Sequence, residues 1–203
     1  MSEEKSSIGV DSEFLEGFKE LPGVGEASAR RMVHYLFKNP GVVTQISLAL
    51  HKISTSKRCR FCGMVSIKDV CPICSSTKRN GHVICVVENM SDVTRFEGMG
   101  IFNGIYHVLG GALSAVDGVY EDDLRIKELY DRLQKEAVQE VILATSTTFE
   151  GETTANFLGD AINSMKIQNL VVSRIATGIP MGVQVEAVTQ TTLKAAFARR
   201  NIL

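Results

Sequence analysis

The stretch V-I-L-A-T-S-T-T-F-E-G-E, from Val141 to Glu152, changes character halfway along its length. Its first four residues form an apolar run that is typical of a strand buried on both faces. Hydroxyl side chains, Phe149 and two carboxylates follow, and helical spacing of apolar residues continues from Thr153 to Met165. A buried strand that leads into a helix predicts one β-α unit of a parallel sheet.

Three further apolar runs alternate with helical patterns in the same part of the chain. The runs are V-I-C-V-V (Val83 to Val87), I-Y-H-V-L (Ile105 to Leu109) and L-V-V-S-R-I (Leu170 to Ile175). Helical spacing marks Asp92 to Glu97 and Asp122 to Lys135. Buried strands separated by helices imply crossover connections, so we predict an α/β fold with a mostly parallel sheet. The segment from Thr192 to Arg200 predicts a C-terminal helix.

The composition of the chain is that of an ordinary globular protein, with 203 residues, 44% hydrophobic and 22% charged. No window approaches the roughly 18 apolar residues of a membrane helix, and no basic segment followed by an apolar run begins the chain. We therefore expect a cytoplasmic protein without a membrane partner. Because that compartment keeps thiols reduced, the five cysteines suggest metal binding or catalysis and not disulfides.

Charge is unevenly distributed along the sequence, although the net charge is only -1. No Asp or Glu occurs from Ala27 through Lys68, whereas this window holds eight basic residues: Arg30, Arg31, Lys38, Lys52, Lys57, Arg58, Arg60 and Lys68. Such asymmetry suggests that the first third of the chain offers a surface to phosphates. Charge alone fits a merely solvated basic face equally well.

The N-terminal part, from about Asp11 to Ile53, has helical spacing that is broken by L-P-G-V-G, Leu21 to Gly25. Two glycines two residues apart allow a sharp turn, and they leave backbone N–H groups unshielded at the start of the next helix. Such helix N-termini bind phosphate without reading bases. Arg30 and Arg31 follow one to two turns later. An ordinary helical hairpin with a glycine turn remains the alternative.

Four cysteines form two knuckles, C-R-F-C and C-P-I-C, which contain Cys59, Cys62, Cys71 and Cys74. Each pair can chelate one ion, and four thiolates satisfy the tetrahedral preference of Zn²⁺ without leaving an open position. We therefore predict one structural zinc ion that folds a segment too short for its own core. A redox pair and an iron–sulfur cluster are the alternatives. Cys85, alone in an apolar run, is expected to be a core residue.

Three carboxylates follow predicted strands: Glu88 ends the first, and Glu150 and Glu152 follow the third. In a parallel sheet the carboxyl ends of the strands are where ligands gather, so these side chains could hold Mg²⁺ for phosphoryl transfer. Alternatively, Glu150 and Glu152 begin a helix, where acids interact favourably with the positive end of the helix dipole. The residues alone do not separate these two interpretations.

Taken together, these motifs resemble the RecR family of bacterial recombination mediators. The matching segments appear in the order of the family and span about residues 11–200: F-K-E-L-P-G-V-G, C-R-F-C to C-P-I-C, V-I-C-V-V-E, Y-H-V-L-G-G-A-L-S, E-V-I-L-A-T and E-G-E-T-T-A. The resemblance implies four parts, which are a helix-hairpin-helix DNA-binding region (1–55), a four-cysteine zinc finger (56–79), a Toprim domain (80–176) and a C-terminal oligomerisation segment (177–203).

Toprim proteins of the type IA topoisomerase kind carry T-D-x-D-x-E-G-E where this chain has Thr145 to Glu152. Ser146 and Thr148 therefore occupy the two metal-binding aspartate positions. The resemblance implies that the protein is not an enzyme, and that Glu88, Glu150 and Glu152 are candidates for partner contacts. The rival hypothesis is a Mg²⁺-dependent Toprim nuclease or primase that uses the same three carboxylates.

The resemblance also implies partners. Members of the family bind DNA and assemble through their N-terminal and C-terminal regions into a ring-like homo-oligomer, for which we expect a tetramer or a dimer. They act with RecO, and in many bacteria RecF, to load RecA onto single strands coated by single-strand binding protein. Binding to DNA is expected to be sequence-independent, and the positions that match DNA-contacting residues are Lys19, Gly23, Gly25, Arg30 and Arg31.

The chain departs from the pattern of the family in three places. Many relatives carry P-K after the hairpin where this chain has Glu26 and Ala27, and L-S-P-x-x-G-x-G-P is replaced by L-S-A-V-D-G-V-Y-E from Leu113 to Glu121. Near the C-terminus only Glu186 persists from an acidic motif, because three acids are replaced by Gln184, Thr189 and Gln190. The first departure removes one expected phosphate contact, and the other two bear on contacts with RecO or RecF more than on the fold.

Overall fold

The computed structural model describes residues 12–198 and residue 200. The chain divides into two compact units, Met1–Ser56 and Lys57–Leu203, and each is considered by itself. Within the described part, no helix has both the length and the apolar character needed to cross a membrane.

The first unit consists of three helices: α1 (Ser12–Lys19), α2 (Glu26–Lys38) and α3 (Pro40–Thr55). Leu15, Ala29 and Val33 form its small buried core. The predicted turn lies between α1 and α2, where the N–H of Val24 donates to the carbonyl of Leu21 at 3.0 Å. Gly23 has φ +79°, a left-handed conformation that glycine adopts without steric cost. Helix α3 is apolar in sequence, yet none of its residues is buried.

The second unit contains a short antiparallel hairpin followed by a parallel sheet. The hairpin pairs β1 (Lys57–Arg58) with β2 (Val65–Ser66). The sheet has the order β4-β3-β5-β6, and every adjacent pair of its strands is parallel. Its strands are β3 (Asn80–Val87), β4 (Gly104–Val108), β5 (Glu140–Leu143) and β6 (Val171–Arg174). The α/β class and the parallel sheet predicted from the apolar runs are confirmed.

Four α-helices belong to the described part of this unit: α4 (Met90–Met99), α5 (Ile126–Lys135), α6 (Phe149–Ser164) and α7 (Gln190–Ala198). Helices α4 and α7 begin two residues before the predicted positions, and the starts of α5 and α6 differ by four residues. Residues Glu121–Asp123 form a separate 3₁₀ turn, and the extended backbone of Leu124 divides it from α5. Helix α6 begins four residues before the predicted Thr153, because the Thr148 side chain caps it. The predicted C-terminal helix is α7, and residue 199 of that prediction lies outside the described residues.

The core of the second unit covers both faces of the sheet. Along β3, Ile84 and Val86 pack in one hydrophobic cluster with residues of α5 and α6, whereas Cys85 and Val87 pack in another with Val93 of α4. Successive side chains of a strand point to opposite faces, so a strand buried on both faces must be apolar throughout. The continuous apolar runs of the sequence reflect this arrangement.

Two ionisable side chains lie in the core of the second unit, and one of them, Cys85, is confirmed as the predicted core residue. His107 in β4 is fully buried, and its Nε2 donates to the carbonyl oxygen of Arg125 at 2.7 Å. Burial lowers the pKa of His107 to about 3, so the ring stays neutral. Burial likewise raises the pKa of the Cys85 thiol to about 12, which keeps it protonated and unreactive.

Candidate functional site

The four knuckle cysteines meet at one point of the second unit. The side chains of Cys59, Cys62, Cys71 and Cys74 place their sulfur atoms within 4.8 Å of one another, and the first three residues are buried. The hairpin β1–β2 carries the first knuckle in its connecting loop, because Cys59 follows β1 directly. We call residues 57–79, which contain both knuckles, the cysteine module.

Backbone hydrogen bonds hold the knuckles in shape. The N–H of Gly63 donates to the carbonyl of Cys59 at 2.9 Å, and the N–H of Cys71 points at the Cys59 sulfur at 3.3 Å. Gly63 has φ +79°, and a Cβ there would lie 2.6 Å from Nε of Arg125 and 3.0 Å from the carbonyl oxygen of Val108. Glycine at this position therefore serves both the turn and the close approach of the sheet.

Three of the four thiols have pKa values shifted from the ordinary value. A hydrogen bond from Cys74 lowers the pKa of Cys62 to about 5. Burial raises the pKa of Cys71 to about 11, and the hydrogen bond to Cys62 raises the pKa of Cys74. One thiolate is therefore stabilised at the expense of its neighbours, whereas a bound cation would compensate all four charges. The donor set and its geometry can hold a metal ion.

The cysteine module is joined to the parallel sheet. The N–H of Val108, the last residue of β4, donates to the carbonyl of Cys62 at 2.8 Å. Ile73 and Met64 pack against the cysteines and also against the core of the sheet. The module is thus an extension of the core of the second unit, and its folding supports the edge strand β4.

Glu88 and the hydroxyls form a second site at the carboxyl ends of β3 and β5. Oε1 of Glu88 accepts hydrogen bonds from both the N–H and the Oγ–H of Ser146, each at 2.8 Å. The hydroxyl oxygens of Ser146 and Thr148 are 3.0 Å apart, and Oγ1 of Thr148 accepts from the N–H of Gly151 at 3.2 Å. The two positions that hold aspartates in metal-dependent Toprim proteins thus serve here to bind Glu88 and to cap α6.

Arg174, which the sequence analysis overlooked, occupies the same region. Its Nη1 donates to the carbonyls of Leu143 and Thr145 at 3.1 and 3.0 Å. Its Nη2 forms an ion pair with Glu152 at 2.8 Å and also donates to the carbonyl of Ser146 at 3.0 Å. The only signal for this role in the sequence was a basic residue at the end of an otherwise apolar run.

Two of the three candidate carboxylates thus have partners within the protein. Glu88 is bound by Ser146, and Glu152 is bound by Arg174, whereas the side chain of Glu150 has no hydrogen bond or ion pair within residues 12–198 and 200. Over that same part of the chain, the cysteine cluster is the only group of three or more His, Cys, Asp or Glu side chains close enough to share an ion. The geometry therefore gives no support to a Mg²⁺ site made of Glu88, Glu150 and Glu152.

Glu150 instead borders a largely apolar pocket of about 360 Å³. The pocket lies between the first turns of α6 and the loop of residues 113–121, and Phe149, Phe157 and Tyr120 contribute aromatic walls. Phe149 is 83% exposed. A large exposed aromatic side chain beside an apolar pocket is typical of a protein interaction site.

The candidate DNA-binding residues lie on the first unit, around the start of α2. Gly25 is the N-cap residue, and no side chain caps the helix. The N–H of Ser28 donates to the carbonyl of Gly25 at 3.0 Å, so the N–H groups of Glu26 and Ala27 are the ones left for a ligand. Arg30, Arg31 and Lys38 line an open groove along α2. Arg30, however, pairs with Glu26 at 3.0 Å, and Lys19 on α1 pairs with Glu16 at 2.8 Å, which raises the pKa of Lys19.

Comparison with known proteins identifies relatives along nearly the whole chain. A family described as Toprim domain matches residues 82–176. Recombination protein RecR of Streptomyces coelicolor is 43% identical over 197 residues, which cover 96% of this chain and 98% of that protein. Proteins of the same name from Dehalococcoides mccartyi and Tropheryma whipplei are 39% and 37% identical, and each alignment covers at least 95% of both chains.

Gly151, in the first turn of α6, lies against Ser146 and Glu88, the residues that follow strands β5 and β3. A Cβ there would overlap the carbonyl and hydroxyl oxygens of Ser146 and would lie 2.8 Å from Oε1 of Glu88. We predict that Gly151→Ala lowers the free energy of unfolding by about 2–3 kcal/mol, because a backbone carbonyl cannot move aside as a flexible side chain could. Urea denaturation followed by circular dichroism measures this change.

Gly159 in the same helix provides the matched control. A Cβ at this position would lie 3.8 Å from Cδ1 of Leu143, which is an ordinary contact. Gly159→Ala should therefore leave the protein equally stable or more stable by up to about 1 kcal/mol, since alanine is the better helix former. Equal stabilities of the two variants would contradict the close approach at Gly151.

Proposed function

Since the chain belongs to the RecR family of recombination proteins, we propose that it is a non-enzymatic, DNA-binding mediator of recombinational repair. It would act with RecO, and with RecF where that protein is present, to load RecA onto single strands coated by single-strand binding protein. The proposal that the protein is not an enzyme is supported by the side chains at the carboxyl edge of the sheet. Ser146 and Thr148 stand at the aspartate positions, and Arg174 places a fixed positive charge beside Glu152.

The proposed cofactor is one Zn²⁺ ion per chain, held by the four cysteines of the cysteine module. Four sulfur donors within 4.8 Å suit the tetrahedral sulfur coordination of zinc, and they leave no position for a substrate. The ion would compensate the thiolate charges and replace the missing apolar core of the module. Its role is therefore structural.

The proposed DNA contacts on the first unit are Lys19, Gly23, Gly25, Arg30 and Arg31. The open N-terminus of α2 offers backbone N–H groups to a phosphate, and such contacts position DNA without reading its sequence. Arg31 contacts the Ser28 hydroxyl through Nη2 at 3.3 Å and forms no ion pair with a described residue. We therefore expect sequence-independent binding that weakens with salt.

We also propose that the chain forms a homo-oligomer, a ring-like tetramer or a dimer. Both regions expected to carry the contacts expose apolar side chains. Helix α3 buries none of its residues, and a groove lined by Phe14, Phe18 and Phe37 runs beside it. In the C-terminal segment, Met181 and Phe197 are also exposed. Apolar surface of this extent normally marks an interface.

Among the three proposed partner-contact carboxylates, Glu150 fits a direct contact best. Its side chain is unpaired within the described residues, and it borders the pocket that Phe149 flanks. Glu88 and Glu152 would act indirectly, because their hydrogen bonds hold the start of α6 in place. We propose this face as the contact with RecO.

The zinc assignment predicts that Cys62→Ser loses the ion and unfolds at lower temperature than the parent protein, since three sulfurs no longer compensate the ion fully. The parent should contain about one zinc atom per chain by elemental analysis. Cys85→Ala is the control, because Cys85 is buried in β3 away from the cluster and should leave zinc content unchanged. Iron in place of zinc, or full metal content in Cys62→Ser, would overturn the assignment.

The DNA-binding proposal predicts that Arg30→Glu with Arg31→Glu weakens binding to single-stranded oligonucleotides of unrelated sequence, because two phosphate contacts become repulsive. Fluorescence anisotropy at several salt concentrations measures the affinity. Lys127→Glu with Lys166→Glu changes the net charge equally on the second unit and serves as the control. If the two double variants bind equally well, α2 is not part of the DNA interface.

The partner proposal predicts that Phe149→Ala with Glu150→Lys weakens binding of RecO at least about tenfold, since loss of one aromatic side chain buried in an interface costs roughly 1.5–3 kcal/mol. Isothermal titration calorimetry measures the affinity. The control, Ile101→Ala with Asp160→Lys, removes another exposed apolar group and changes the charge by the same amount. Unaltered RecO binding in the first variant would remove this face from the interface.

A further inference from the structure

Positive charge in this protein is concentrated in the cysteine module and not in the helical unit. Residues 57–79 contain six Lys and Arg residues and one acid, Asp69, which gives a net charge of +5. Residues 1–56 contain six basic and seven acidic residues, and residues 80–203 contain ten basic and fifteen acidic residues. The basic window of the sequence takes four of its eight basic residues from each part, but four glutamates at positions 13, 16, 20 and 26 offset the charge of the helical unit.

The basic side chains of the cysteine module are exposed. Five of the six lie on its surface, and only Arg79 is part-buried, where it pairs with Glu97 of α4. Within the described part of the chain, the exposed Lys57, Lys68 and Lys78 form no ion pair. By contrast, two of the cations proposed to bind DNA on the first unit are each paired with an acid of their own helix. Among the described residues, no acid competes with an external anion for these lysines.

The module places two of these lysines at the same end of its hairpin. Lys57 pairs with Ser66, whereas Arg58 pairs with Val65 nearer the connecting loop. Lys57 and Lys68 therefore both lie at the open end of the hairpin. The backbone N–H of Lys68 donates to Oγ of Ser66 at 3.1 Å, which fixes the chain that carries it. A backbone already ordered by the cysteines loses little further entropy when its lysines bind a ligand.

Arg60 adds a planar cation to the same module. Its guanidinium lies over the ring of Phe61, 4.8 Å from the ring centroid, and Nε is 3.4 Å from Oδ2 of Asp69. Asp69 is the single acid of the module, and at this distance it offsets only part of one of the six positive charges. A surface with this composition attracts a polyanion, and contacts to phosphates carry no sequence information.

We infer that the cysteine module is a second phosphate-binding surface for nucleic acid, and that Lys57 and Lys68 are its principal contacts. This inference rests on the proposed DNA-binding function and extends it from one unit of the chain to both. The ligand is the sugar–phosphate backbone, so binding through this surface is indifferent to sequence. The surrounding second unit is acidic outside the module, which confines the contact to these residues.

The test replaces Lys57 and Lys68 by glutamine and measures the affinity of the full chain for labelled oligothymidylate at several salt concentrations. Removal of two phosphate contacts should reduce the slope of log affinity against log salt by about 1.4, since each contact to a single strand contributes roughly 0.7. Lys127→Gln with Lys166→Gln carries the same change of charge outside the module and should leave the slope unchanged. Zinc content and thermal unfolding of each variant show whether the cysteine module is intact.

The outcomes separate this inference from the function it rests on. If Lys57→Gln with Lys68→Gln binds with the parent slope while Arg30→Glu with Arg31→Glu binds weakly, the inference fails and the proposed function stands. If the parent protein does not bind oligothymidylate at all, the proposed DNA-binding function itself fails. An equal loss of slope in the Lys127 and Lys166 control would also overturn the inference, because the effect would then reflect only net charge.

Discussion

The arrangement of the second unit depends on how hydrogen bonds and an ion pair stabilise two carboxylates at the carboxyl edge of the parallel sheet. Glu88 and Glu152 stand at this edge, and an unpaired charge in such a position would be costly. Two hydrogen bonds from Ser146 hold Glu88, and the guanidinium of Arg174 holds Glu152. The same contacts connect the ends of β3, β5 and β6 to the first turn of α6. These contacts make the carboxyl edge of the sheet a junction between three strands and a helix.

The cysteine module has only 23 residues, which cannot bury enough apolar surface to fold alone. The four cysteines replace a core, and the hydrogen bond from Val108 to Cys62 joins the module to the sheet. Because the interior is occupied by sulfur, almost the whole polar surface of the module is free to carry charge. The cysteines fill the interior of the module, and five cations can therefore lie on its surface.

Much of this structure could be predicted from the sequence, and the exceptions have physical reasons. The apolar runs predicted every strand of the sheet, because burial on both faces leaves no polar position, and the spacing of the cysteines predicted the cluster. Apolar spacing places the start of α6 at Thr153, four residues too late, because the helix is capped by the polar Thr148. The alternative that Glu150 and Glu152 begin a helix is confirmed, since both lie in the first turn of α6. Arg174 was missed because its acceptors come from β5, the following loop and α6, which are brought together only by folding. The DNA-binding and partner residues remain predictions.

The hydrogen bonds and the ion pair of Arg174 also constrain which substitutions this protein can tolerate. Ser146→Asp alone would bring a third carboxylate to the position where the serine hydroxyl lies 2.8 Å from Glu88. Loss of Arg174 alone would leave Glu152 without its counter-ion. Each single step toward metal-dependent chemistry is therefore destabilising, and only a concerted change of several residues would be tolerated. The contacts at the carboxyl edge of the sheet thus depend on one another, so that a change at one of these positions requires a matching change at another.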